Sequence, residues 1–86
     1  MPVDVKYRPA LLGDGYVMMF HNQSQKSLPL NVKLFNPTFN REHTYSVVID
    51  GGMTKEIGHL EGWTAATGDV IELHHAEYDT MTVRIQ

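Results

Sequence analysis

Residues 51–85 read GGMTKEIGHLEGWTAATGDVIELHHAEYDTMTVRI and hold most of the chain's glycines and its only tryptophan. Gly51-Gly52 is a turn signal, Met53 to Ile57 a short charged run, and Gly58 to Gly68 an irregular piece around Leu60 and Trp63. Two β-patterned runs follow, Val70 to His75 and Met81 to Ile85. The order of turn, strand, corner and strand is that of the second half of a β-sandwich. In the first of these runs Ile71 and Leu73 point inward and Glu72 and His74 outward. In the last, Met81, Val83 and Ile85 alternate with Thr80, Thr82 and Arg84.

Toward the N terminus the same period of two recurs. Tyr45, Val47 and Ile49 alternate with Thr44, Ser46 and Asp50, and Leu30, Val32 and Leu34 alternate with Asn31, Lys33 and Phe35. Tyr16 to Phe20 is apolar on both faces, which suits a central strand, and Val3 and Val5 start an edge strand before Pro9. Gly13-Asp14-Gly15 is a turn, and Asn36 to Asn40 breaks the chain around Pro37. Asn22 to Ser27 reads as a hairpin-like junction. Asp50-Gly51-Gly52 reads as a tight hairpin that brings Ile49 and Met53 both to the core. The face of Leu30, Val32 and Leu34 is expected to pack opposite Ile71, Leu73, Val83 and Ile85. No segment keeps a helical period for long. The expectation is an all-β, immunoglobulin-like antiparallel β-sandwich of about seven strands, one domain over residues 1–86.

Composition narrows the function classes. With 86 residues and no cysteine, the chain must build its core from aliphatics, methionines and a few aromatics, without disulfides. A net charge of −3 with scattered lysines and arginines argues against nucleic acid as a partner. No apolar run is long enough to span a bilayer. The opening Met1-Pro2 and the strand-like end suit a module excised from something larger. The compartment stays open, with the cell envelope or extracellular space favoured.

Val17 to Phe35, with Asn22-Gln23-Ser24 followed by Leu28, Val32 and Leu34-Phe35-Asn36, resembles the opening hairpin of small bacterial immunoglobulin-like accessory domains, including the FxLYD type. Gly68-Asp69-Val70-Ile71-Glu72-Leu73, with Tyr78 following, is similar to the start of a late strand in such sandwiches. The resemblance implies a seven-stranded fold and attachment to membrane-tethered or exported proteins. It carries no catalytic residues.

Three constellations have chemical content. His59 with Glu61 and Glu72 with His74 each offer two ligands on one strand face, short of the three or four a zinc site needs, so no metal and no cofactor are expected. A relay can be drawn from Ser46, His43 and Asp50, but Ser46 lies in no nucleophile frame, and the chain is not read as an enzyme. Phe35, Phe39 and Trp63 are the candidate ligand-binding aromatics, against the reading of Trp63 as a core plug. The resulting expectation is a non-catalytic interaction or spacer module of a larger bacterial cell-envelope protein, its partner an unknown protein or other domains of the same chain. The alternative is a small domain that binds carbohydrate or peptide through exposed aromatics.

Overall fold

A computed structural model describes residues 1–11 and 14–86. Gly13, in the turn read at residues 13–15, lies outside the described residues. Seven strands are described: β1 (Val3–Pro9), β2 (Tyr16–Asn22), β3 (Leu28–Asn36), β4 (Arg41–Ile49), β5 (Thr54–Ile57), β6 (Val70–His75) and β7 (Tyr78–Arg84). They form two antiparallel sheets, β1-β2-β5 and β4-β3-β6-β7, a β-sandwich. A single 3-10 turn, His59–Glu61, sits in the corner between β5 and β6.

Period-two burial builds the core. Leu30, Val32 and Leu34 of β3 and Ile71 and Leu73 of β6 are buried from one sheet, and Val3, Met18, Phe20 and Ile57 from the other. β2 is central in its sheet, as its two apolar faces require. Ile85, just past β7, is also buried, because its backbone continues the ladder: its N–H donates to Asp69 O at 3.0 Å and its carbonyl accepts Gly68 N–H at 2.8 Å. On the outer face Phe35 is half-buried, with the Lys33 ammonium 5.2 Å from its ring centroid and Val70 beside it in register.

Three connections differ from the expectation. β3 does not face β6 and β7 across the sandwich. It pairs with β6 in the same sheet, with Val32 opposite Leu73 and Leu34 opposite Ile71. The Asn22–Ser27 junction is an arch rather than a hairpin, since β2 and β3 belong to different sheets. Asp50-Gly51-Gly52 likewise carries the chain from one sheet to the other, so Ile49 is buried while Met53 stays 59% exposed.

The two arches are tied together by Asn22, which is fully buried. Its Nδ2 donates to the carbonyls of Lys26 at 2.7 Å and Ile49 at 2.8 Å, and its Oδ1 accepts from the Ser24 N–H at 2.9 Å and hydroxyl at 2.7 Å. Its backbone N–H donates to Met53 O, and its carbonyl accepts Gly52 N–H, each at 3.0 Å. A buried amide with every hydrogen-bonding group matched fixes where both arches lie. The polar residues that suggest a tight turn in the sequence thus serve a crossing between sheets.

Candidate functional site

The end of the sandwich opposite these arches carries a second buried polar cluster, built from the β3–β4 turn and the corner before β6. Asp69 is 1% exposed. Its Oδ1 accepts from Asn36 Nδ2 at 2.7 Å, and its Oδ2 accepts from Trp63 Nε1 at 3.0 Å and Ala66 N–H at 2.9 Å. Asn36 Oδ1 in turn accepts the backbone N–H groups of Thr38 and Phe39, shaping the turn into β4. All the polar contacts of the carboxylate come from donors, so both its oxygens are matched and its partners are fixed.

Trp63 is therefore held inside, 3% exposed, as part of the core cluster. Its ring borders a shallow cleft between the start of β4 and the corner, lined also by Asn40, Arg41, Glu42, His43, Tyr45, Glu61 and Gly62. The Arg41 guanidinium stacks over the indole at 4.5 Å from the ring centroid. Tyr45 packs edge-on to His43 and donates its hydroxyl to the Glu61 carbonyl at 2.7 Å, pinning the corner to β4. Burial, and secondarily the Glu61 charge, hold the Tyr45 phenol above its ordinary value, which keeps it a donor. The Glu61 carboxylate accepts Gly58 N–H at 2.6 Å. Among the described residues no carboxylate pairs with Arg41: the ion pairs are Lys6 with Asp4, Arg8 with Glu56 and Lys33 with Glu42, and Glu72 meets the His74 ring. Glu42 and Glu61 border the same cleft but are engaged by Lys33 and the Gly58 N–H, so a cation oriented by a buried ring and with no carboxylate at ion-pair distance can receive an anion.

This cleft lies along β4, an outermost strand. β4 runs for nine residues in unbroken register with β3, and its stretch from Thr44 to Ile49 has neither charge nor proline. The other outer strands are guarded. β1 carries Asp4, Lys6, Arg8 and Pro9, β5 is four residues long with Lys55 and Glu56, and the β6–β7 register shifts between Leu73 and His75.

The three aromatic candidates do not form one platform. Phe39 is 69% exposed in the β3–β4 turn, Phe35 lies half-buried on the outer face, and Trp63 is enclosed. Nor does the drawn relay assemble: Ser46 donates its hydroxyl to Asn31, Asp50 accepts from Ser27, and His43 packs on Tyr45. His74 meets Glu72 at 3.2 Å, and among the described residues no three metal-ligating side chains converge. A larger open depression of about 740 Å³ lies at the arch end beside the β6–β7 hairpin, but its histidines have partners there, His74 with Glu72 and Thr80, and His75 with the Glu77 N–H. No motif in the sequence assigns Arg41, Asn36 and Asp69 to a site, although Asn36 and Asp69 stand in the turn and strand motifs quoted above. The available signal was Asn36-Pro37-Thr38 and Gly68-Asp69, two turn motifs with short polar side chains ready to bond nearby backbone.

Comparison of the chain with protein-family profiles, with curated proteins and with solved structures finds no match.

Proposed function

We propose that this chain is an immunoglobulin-like, non-catalytic interaction module, one domain of a larger bacterial cell-envelope protein, and that it takes up its partner by strand addition along β4. The immunoglobulin-like reading is supported by the strand order: first, second and fifth strands in one sheet, third, sixth and seventh in the other, with the fourth kept beside the third. The observation that carries the function is the β4 edge, nine residues in continuous register with an uncharged run and no bulge. Along such an edge the outward N–H and C=O groups of alternate residues have only solvent to bond, and an extended segment satisfies them as a ladder. A spacer has no use for an unguarded edge, whose cost is the hazard of unwanted pairing.

Short random peptides displayed on phage and selected against the domain test this directly, with amide hydrogen exchange read out on each selected peptide. The expected result is protection of alternating amides along β4 and none along β7. Failure to select any peptide, or protection confined elsewhere, overturns strand addition, and protection centred on Phe39 would favour ligand binding through exposed aromatics.

A further inference from the structure

The geometry points to an acidic side chain on the added strand as the specificity determinant at β4, with Arg41 as its receptor. The inference rests on strand addition at β4 and adds the chemistry of the partner. Arg41 is the first residue of β4, and its guanidinium is stacked on Trp63 without a carboxylate partner among the described residues. Trp63 is locked by Asp69, and Asp69 by Asn36 and Ala66, so the cation sits on a platform that is itself fully bonded. Stacking limits the rotamers Arg41 samples and leaves its N–H edges free to donate to a planar carboxylate in a paired geometry.

Strand parity decides which partner fits. By strand alternation Arg41, His43 and Tyr45 share the inward-facing side of β4, and Glu42, Thr44 and Ser46 the outward one, although Glu42 also borders the rim of the cleft. An antiparallel strand laid on β4 directs every second side chain toward the cleft, and the residue opposite Arg41 lies near its carboxyl end. A glutamate or aspartate there meets the guanidinium as a cross-strand ion pair.

A second copy of the chain cannot supply this group by pairing β4 with β4 about a two-fold axis normal to the sheet. Residues that face each other then share parity, so Glu42 of one copy always lies on the opposite face from Arg41 of the other. The pairing centred on Glu42 also sets the two Glu42 carboxylates against each other, which is repulsive. β4 of a second copy is thus ruled out as the source of the carboxylate, and the proposed occupant is a partner's extended segment bearing an acidic residue.

The probe is a synthetic peptide of alternating valine and threonine with one glutamate near its carboxyl end, acetylated and amidated so that no terminal carboxylate contributes. A second peptide has glutamine in that place. Binding to the wild-type domain and to Arg41→Gln is measured by titration at low and high salt, with β4 amide exchange as the site readout. The glutamate peptide is expected to bind wild type about two- to five-fold tighter than the glutamine peptide, with the margin shrinking in salt. In Arg41→Gln that margin should vanish while β4 protection by either peptide persists. Equal binding of both peptides to wild type, with β4 protected, overturns the carboxylate assignment and leaves strand addition standing. Absence of β4 protection by either peptide overturns both. β4 protection that grows with protein concentration in the absence of peptide assigns the edge to a second copy and overturns the inference as well.

Discussion

Replacing Asp69 by alanine tests whether the buried cluster at the β3–β4 end organises the corner. The substitution strands three donors, Asn36 Nδ2, Trp63 Nε1 and the Ala66 N–H, which now find Asp69 oxygens at 2.7, 3.0 and 2.9 Å. A buried donor left unpaired costs roughly 1–3 kcal/mol. Removing a carboxylate also relieves its own desolvation, which offsets part of that loss. The low end of the range therefore applies, and Asp69→Ala should cost about 3 kcal/mol, a large share of the roughly 5–15 kcal/mol that holds a typical domain together. Asp69→Asn is the sharper variant because it keeps the volume. Whichever way the new amide turns, its NH₂ meets a donor, either Asn36 Nδ2 or the Trp63 and Ala66 pair. Flipping Asn36 to compensate would aim its own NH₂ at the Thr38 and Phe39 N–H groups, which its oxygen now accepts. The conflict only moves, and a loss of about 1–2 kcal/mol is expected. Urea melts followed by far-ultraviolet circular dichroism measure both variants, alone and with Trp63→Phe, since Trp63 cannot serve as the optical probe. In that cycle the Asp69→Ala cost should fall, because one stranded donor is already gone. A cost below about 1 kcal/mol for Asp69→Ala, or strict additivity with Trp63→Phe, would refute the reasoning and leave Trp63 as a packed ring whose N–H bond is incidental.

Other outcomes follow from the same coordinates. Leu34→Ala and Leu73→Ala, both at fully buried positions, should each cost about 2–5 kcal/mol in urea, and a loss under about 0.5 kcal/mol would place these side chains outside the core. Gly51→Ala sets a Cβ 2.6 Å from the Gln25 carbonyl group, whereas Gly52 has open space for a Cβ but a φ of +76°, so Gly52→Ala should cost about 1–2 kcal/mol through backbone strain alone. Unchanged melting midpoints for both L-alanine variants would mean the second arch is drawn wrongly. The Tyr45 phenol titrates higher in the folded chain than its ordinary 10.0, so its contribution is intact below that pH and declines as pH rises through the raised value. Tyr45→Phe should therefore flatten the alkaline limb of a stability–pH curve, and an unaltered limb would show that the Tyr45 hydroxyl does not titrate with unfolding.

The strands and their inward faces were legible in the sequence because a period of two is a local property. Leu30, Val32 and Leu34, Met18 and Phe20, and Ile71 and Leu73 fall inside as their alternation requires. The irregular corner around Trp63 was legible for the same reason, as a break in periodicity between two alternating runs. Strand pairing was not, because every strand has two edges and an apolar face looks the same whichever sheet it joins. Asn22 to Ser27 and Asp50 to Gly52 carry residues that turn a chain sharply, and such residues serve an arch as well as a hairpin. What selects the arch is the packing of one sheet on the other together with the Asn22 amide, which bonds Lys26 next to it and Ile49 far along the chain. The candidate site shows the same division. Arg41 is one scattered cation in the sequence, and Asp69 an ordinary turn residue. Only the folding of the corner against the start of β4 brings Asp69, Trp63 and Arg41 into one stack, because their contacts are made between segments that no local pattern connects.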